Sequence, residues 1–145
     1  MEKNRLFVYG TLLGSLSNSM ADYLKRESQF LGEAYLRGRL YDLGQYPGLV
    51  PDENSPYLVY GHVFELYSPE TALKILDHYE DIPDGKETTN EYIRSLLNVS
   101  LENKPFDCWV YIYNHSTQGL KEIKSGNYLE YIETNPRHKQ FIDSV

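Results

Sequence analysis

Glycines interrupt a stretch of the sequence that otherwise has the composition of β-strands. Residues 29–50 read QFLGEAYLRGRLYDLGQYPGLV, with glycines at positions 32, 38 and 44. Glycine inside a strand pattern indicates a β-bulge or a sharp bend, because a residue without a Cβ tolerates the backbone angles found there. We therefore expect strands that bend as they do at the corners of a small barrel.

Strand and helix patterns alternate along the rest of the chain. Apolar runs and turn residues predict further strands at about 5–9, 57–67, 91–101 and 106–114. Helical patterns occupy about 18–27, 69–81 and 127–142, the last with a break at Pro136. About six strands and three helices in mixed order predict an α+β domain, with the strands in a small mixed β-barrel and the helices on its outside.

The strand pattern at 57–67 has two unequal faces. Alternate residues fall on opposite sides of a strand. One side carries Val59, Gly61, Val63 and Glu65, and the other carries Leu58, Tyr60, His62, Phe64 and Leu66. The second set is the more apolar.

Length and charge limit the classes of function. The 145 residues suit a single domain spanning 1–145. The net charge of −7 argues against nucleic acid and against anionic membrane surfaces, both of which attract basic faces. A single cysteine forms no intramolecular disulfide, and the first ten residues lack the apolar core of a signal peptide. We expect a soluble cytoplasmic protein, and the sequence makes no prediction of its oligomeric state.

The helix predicted at 69–81 carries one carboxylate on its apolar side. The apolar arc contains Ala72, Leu73, Ile75, Leu76 and Tyr79, and the opposite side contains Lys74, Asp77, His78 and Asp81. Glu80 lies four residues after Leu76 and therefore projects from the apolar side. A carboxylate there must be paired, border a cavity or take up a proton.

Glu80 is the candidate acid/base residue. Burial raises the pKa of a carboxylic acid from about 4.3 toward neutrality, which suits a group that both accepts and donates a proton. The alternative is a side chain that bends to solvent at the helix end or pairs with an arginine such as Arg94.

Other chemistries find little support in the residues. The four histidines at 62, 78, 115 and 138 lack metal-binding spacing, and no Gly-x-Ser-x-Gly or Gly-Lys-Ser/Thr motif occurs. Cys108 sits in the middle of a predicted strand and is expected to be buried and inert. We predict no metal and no cofactor.

The first predicted strand ends in the turn Gly10-Thr11-Leu12-Leu13-Gly14. Two glycines so close together are compatible with an ordinary turn. They are equally compatible with a cradle of backbone N–H groups that binds a ligand, because glycine allows a close approach. The residues of the turn leave both interpretations open.

An ordered set of segments resembles the γ-glutamylcyclotransferase-like family, which includes γ-glutamylamine cyclotransferases and avirulence-induced proteins. The matching segments are FVYGTL (7–12), GRLYDLGQYPGLV (38–50), VYGHVFEL (59–66), LDHYE (76–80), YIR (92–94), WVYIY (109–113) and SGNYLEY (125–131). They span about residues 5 to 131. The resemblance implies a small mixed barrel with flanking helices.

The resemblance also implies a reaction. In such proteins the α-amino nitrogen of a γ-glutamyl amine or peptide attacks its own γ-carbonyl, giving 5-oxoproline and a free amine without a cofactor. The family's γ-glutamyl-binding loop corresponds to Tyr9, Gly10, Thr11 and Leu12, and its acid/base glutamate corresponds to Glu80. The implied partner is therefore a small-molecule γ-glutamyl substrate.

The remaining candidate site residues would bind the substrate carboxylate or line the cavity. The substrate carboxylate needs a cation, for which Arg94 and Arg39 are candidates, with a surface strand position as the alternative for each. Tyr46 and Tyr113 are expected to line the cavity, with core packing as the alternative for Tyr113. The sequence leaves the released amine undefined. Two other classes stay open: a non-catalytic ligand-binding or interaction domain on the same fold, and an amide hydrolysis that uses water and releases glutamate.

Overall fold

One long strand organises the sheet. The structure, a computed structural model, describes residues 4–10, 19–44, 46–79 and 92–133. Within these ranges the strands are β1 (Arg5–Val8), β2 (Ser28–Asp42), β3 (Pro47–Pro51), β4 (Leu58–Leu66), β5 (Tyr92–Leu101), β6 (Lys104–Tyr113) and β7 (Lys121–Glu122). The helices of the same ranges are α1 (Ser19–Arg26), α2 (Pro69–Tyr79) and α3 (Tyr128–Glu133). The predicted tail helix at 127–142 matches α3 as far as residue 133, and Pro136 lies outside the described residues.

Five of these strands close into a barrel. The order β2-β4-β1-β6-β5 is completed by antiparallel pairing of β5 with β2, where Ala34 faces Leu101 and Tyr35 faces Ser100. Strand β1 runs antiparallel to β4 and parallel to β6, which makes the barrel mixed. Strands β3 and β7 pair with the far end of β2, beyond the barrel. The predicted small mixed β-barrel with helices is confirmed.

Of the glycines at positions 32, 38 and 44, two have the backbone geometry of bends. The register of β2 against β4 shifts between Phe30 and Gly32, and Gly32 has a φ of 149°. Gly44, with a φ of 115°, lies in the connection between β2 and β3. The bulge predicted from the sequence is therefore present at Gly32, two residues before β2 begins to pair with β5 at Ala34.

Strand β4 buries its less apolar face more completely. Val59 and Val63 are fully buried, whereas Leu58 on the more apolar face is 43% exposed. On that more apolar face Phe64 and Leu66 are nonetheless buried. A barrel strand has an inner face along its whole length and an outer face that is covered only in part, so hydrophobic alternation does not identify the inner side.

Helix α2 begins where the sequence predicts, with Pro69 as its first residue, and its last described residue is Tyr79. Ala72, Leu73 and Leu76 are buried as expected, but Ile75 is 38% exposed. Asp77, expected on the solvent side, is partly buried. Both deviating residues lie at the margins of the buried stripe, about 100° from its centre at 100° per residue.

Cys108 is fully buried in β6, and burial raises the pKa of its thiol to about 12. The expectation of a buried cysteine is confirmed. Among the described residues, no helix has the length and apolar character needed to cross a membrane. Nor does that part of the chain hold a group of His, Cys, Asp and Glu side chains that could bind a metal ion.

We expect Gly61→Ala to lower the free energy of unfolding by about 3 kcal/mol or more, since an added methyl group overpacks the barrel wall. A Cβ at Gly61 would lie 2.3 Å from the carbonyl oxygen of Val8 and 2.6 Å from the Phe7 ring. Urea unfolding followed by circular dichroism measures the change.

Gly119→Ala is the matched control. Its Cβ would meet nothing within 4 Å, although its φ is 82°. We expect that variant to lose only about 1–2 kcal/mol, from the left-handed backbone alone. Equal losses in the two variants would contradict the steric explanation.

Candidate active site

The turn after β1 packs against the start of β3. A Cβ on Gly10 would lie 2.9 Å from Cγ of Pro47 and 3.1 Å from its Cδ. A side chain at position 10 would therefore push the two segments apart. Glycine is required here by this close approach.

The hydroxyl group of Tyr9 connects three strands. It donates a hydrogen bond of 2.5 Å to the backbone carbonyl of Tyr111 in β6. It also accepts one of 3.2 Å from the backbone N–H of Leu49 in β3. The Tyr9 side chain is only 6% exposed, so water competes little for these bonds. Tyr9 thus fixes the end of β1 against both β6 and β3.

A cluster of tyrosines surrounds the same part of β3. The Tyr92 hydroxyl donates a hydrogen bond of 2.6 Å to the carbonyl of Pro47. The ring centre of Tyr92 lies 6.2 Å from that of Tyr46 and 6.2 Å from that of Tyr113. A Cβ on Gly48 would come within 3.0 Å of Cβ of Tyr113.

Four of the predicted site residues therefore meet around Pro47 and Gly48. They are Tyr9, Gly10, Tyr46 and Tyr113. Tyr46 and Tyr113 are both partly exposed, so each ring has a surface that a ligand could contact. Sequence reasoning did not include Tyr92, whose place in a strand pattern gave no sign of its bond to Pro47.

Arg94 faces the end of α2. Its Nε donates to Oδ1 of Asp77 at 2.8 Å, and its Nη2 donates to Oδ2 at 3.0 Å. The guanidinium carbon lies 4.6 Å from the centre of the Trp109 ring. Burial lowers the pKa of Arg94, but the hydrogen bond and charge of Asp77 outweigh this, so the pKa is raised above its usual value. Arg94 is a permanently charged partner of Asp77.

The other candidate cation, Arg39, lies among different partners. Its Nη1 is 3.1 Å from Oε2 of Glu122 in β7, and its Nε is 3.7 Å from Oδ2 of Asp52. The guanidinium carbon is 5.3 Å from the Tyr57 ring centre. This network lies at the end of the sheet where β2 pairs with β3 and β7.

Tyr111 contacts both parts of the candidate site. Its backbone carbonyl accepts the hydrogen bond from Tyr9, and its hydroxyl donates one of 2.6 Å to Oδ1 of Asp77. Asp77 and Tyr111 were both missed from the sequence. The signal for Asp77 is its position four residues after Leu73, at the edge of the buried stripe. Nothing local distinguishes Tyr111 from the other tyrosines.

Three predicted site residues, Thr11, Leu12 and Glu80, lie outside the described residues. Glu80 directly follows Tyr79, the last described residue of α2.

A family model and two relatives from bacteria match this chain over most of its length, and all three descriptions name gamma-glutamyl cyclotransferase. The model of the family described as "Gamma-glutamyl cyclotransferase, AIG2-like" matches residues 6–130. The Gamma-glutamylcyclotransferase family protein YtfP of Escherichia coli (strain K12) is 30% identical over 127 residues, which are 87% of this chain and 96% of that protein. A relative from Vibrio cholerae serotype O1 is 37% identical over 128 residues, which cover 86% of this chain and 95% of the relative.

Solved structures share the fold. The solution structure of Escherichia coli YtfP superimposes with a TM-score of 0.60 at 28% identity, over 88% of this chain and 98% of that one. YkqA of Bacillus subtilis superimposes with a TM-score of 0.69 at 24% identity. The match covers 93% of this chain but 43% of YkqA, so this chain corresponds to less than half of that protein.

We expect Tyr9→Phe to lower the free energy of unfolding by about 1–3 kcal/mol, because the Tyr111 carbonyl and the Leu49 N–H would both lose a buried partner. Urea unfolding of the purified variant gives the value. Tyr35→Phe is the control, since Tyr35 is exposed on β2 and its substitution should stay within about 0.5 kcal/mol of the original protein. An equally small loss for Tyr9→Phe would show that its hydroxyl is not a support of the turn.

Proposed function

The chain belongs to the gamma-glutamyl cyclotransferase, AIG2-like family, and we propose that it converts a γ-glutamyl amine or peptide into 5-oxoproline and a free amine. The observation that carries the proposal is the packing of the Tyr9–Gly10 turn against Pro47 beside partly exposed tyrosines. A backbone turn without a side chain at position 10, next to aromatic walls, suits a small folded substrate whose polar groups need N–H and C=O partners.

The proposed reaction is intramolecular. The α-amino nitrogen of the γ-glutamyl group attacks the γ-carbonyl carbon, a new C–N bond closes the five-membered ring, and the original amide C–N bond breaks. One proton leaves the attacking nitrogen and one is added to the departing amine. A substrate that carries its own nucleophile requires no nucleophilic side chain, and the reaction consumes no cofactor.

Binding geometry supplies the larger share of the proposed rate enhancement. Holding two reacting groups in an attack geometry is worth about 7–11 kcal/mol. A positioned acid/base adds about 10²–10⁴-fold. In the proposal the backbone of Tyr9, Gly10, Thr11 and Leu12 holds the γ-glutamyl group in its folded conformation, and Glu80 transfers the proton between the two nitrogens.

The tyrosines and arginines have secondary roles in this scheme. Tyr46 and Tyr113 would contact the substrate through their partly exposed rings. The Tyr9 hydroxyl is already bonded on both sides, so Tyr9 would act as a support for the loop. A contact between the substrate carboxylate and Arg94 stays a prediction, in competition with the two hydrogen bonds that Arg94 donates to Asp77. Arg39 has comparable competitors in Glu122 and Asp52.

We expect the original protein to form 5-oxoproline from at least one member of a panel of γ-glutamyl amines and γ-glutamyl peptides, detected by mass spectrometry. Glu80→Gln should reduce the rate at least about a hundredfold, because the amide neither accepts nor donates the transferred proton. Glu70→Gln is the matched control, since Glu70 is an exposed carboxylate in the first turn of α2.

The products separate the remaining possibilities. Circular dichroism first establishes that each variant is folded. Free glutamate in place of 5-oxoproline would indicate hydrolysis by water. Equal rates for the original protein and Glu80→Gln would remove Glu80 from the acid/base role. Binding of a γ-glutamyl compound without turnover would identify a ligand-binding domain and refute the enzyme assignment.

A further inference from the structure

We propose that Asp77, Tyr111 and Arg94 form a positioning cluster that anchors the C-terminal end of α2 to the barrel. By fixing that end, the cluster limits the movement of the turn of α2 that precedes Glu80 in the chain. The anchoring follows from the geometry of the described residues, and the consequence for Glu80 rests on the proposed function.

The cluster places one carboxylate between two donors on neighbouring strands. Arg94 in β5 and Tyr111 in β6 are direct cross-strand partners. Both reach Asp77: Arg94 with its Nε and Nη2, and Tyr111 with its hydroxyl. Oδ1 of Asp77 thus accepts from both residues, and Oδ2 accepts from Arg94.

Partial burial makes these contacts strong enough to hold a helix end. The side chains of Arg94 and Asp77 are 23% and 14% exposed. Trp109 covers one face of the guanidinium group. A fork-shaped, charge-assisted pair with limited access to water has fixed geometry, unlike an exposed ion pair between two mobile side chains.

The position of Asp77 in the chain ties this contact to Glu80. Asp77 is in the last described turn of α2, and Glu80 follows it by three residues. Three peptide units span at most about 11 Å between Cα atoms. Any freedom of the Asp77 turn would therefore pass directly to the position of Glu80.

Tyr111 also supports the other half of the site. Its backbone carbonyl accepts the hydrogen bond from Tyr9, directly before Gly10. The turn that is proposed to hold the substrate and the helix end that precedes Glu80 are thereby fastened to a single residue of β6. That residue lies in a strand paired to β5 on one side and β1 on the other. A common support of this kind keeps two separate segments at a constant separation.

Two variants test the role in turnover. Tyr111→Phe removes the hydroxyl bond to Asp77 but keeps the ring and the backbone carbonyl, and Asp77→Asn removes the charge while keeping the shape. We expect each to lower kcat for 5-oxoproline formation about 10–100-fold, as for a catalytic group displaced by about 1 Å. KM should stay within about threefold, because a positioning residue does not touch the substrate.

The control and the double variants make the test specific. Tyr60→Phe also removes a tyrosine hydroxyl, one that hydrogen-bonds to His62 on β4, and its kcat should be unchanged. In a Glu80→Gln background, Asp77→Asn should add less than about a twofold loss, because its effect passes through Glu80. A full additional loss would overturn the proposal. So would a raised KM with unchanged kcat in Asp77→Asn, which would point to a direct substrate contact at the cluster.

A measurement without substrate separates this proposal from the proposed function. Hydrogen–deuterium exchange of the peptide covering residues 73–80 reports the order of the helix end directly. We expect this peptide to exchange faster in Tyr111→Phe and Asp77→Asn than in the original protein. In Tyr60→Phe its exchange rate should be unchanged. If the original protein shows no turnover but the two cluster variants show the expected faster exchange, only the proposed function is refuted. Unchanged exchange in both cluster variants would overturn the anchoring itself.

Discussion

The pairing of β2 with β5 closes the barrel, and the candidate site depends on that closure. Gly32 lies beside this closure: the register of β2 against β4 shifts between Phe30 and Gly32, and a Cβ at Gly32 would lie 3.0 Å from Cδ1 of Leu101 in β5. Strand β2 stays paired with β4 as far as Arg37, and from Gly38 onward it pairs with β3. Strand β3 then brings Pro47 to the end of β1. The pairing of the far half of β2 with β3 thus places Pro47 against Gly10.

The high tyrosine content has a structural explanation in this arrangement. The chain contains 14 tyrosines, and among the described residues Tyr9 and Tyr92 hold the backbone of neighbouring strands through their hydroxyl groups. Tyr9 and Tyr92 donate to the carbonyls of Tyr111 and Pro47, groups that lie near strand ends. A tyrosine fills space in the core with its ring and satisfies a backbone acceptor with its tip. The part of the site around Pro47 is consequently built on bonds that need no charged residue.

The sequence predicts local features well and distant partners poorly. Pro69 and Gly32 act on their own backbone, so the start of α2 and the bulge in β2 could be predicted from them. The burial of Val59 in place of Leu58 depends on which way the sheet curls, which no single strand encodes. Asp77 joins Arg94 and Tyr111, 17 and 34 residues further along the chain, and helical periodicity carries no information on such contacts. At the site, Gly10 was signalled by its turn, whereas the role of Glu80 stays a prediction from resemblance.

The two bonds of Tyr111 differ in how they respond to sequence variation. Its contact with Tyr9 uses the main-chain carbonyl, which every amino acid possesses. Its contact with Asp77 uses the phenolic hydroxyl, which a single nucleotide change can remove. A substitution at position 111 therefore keeps the acceptor for Tyr9 but removes the hydrogen bond to Asp77 in α2. Substitutions at position 111 can thus change the attachment of α2 while the hydrogen bond to Tyr9 is kept.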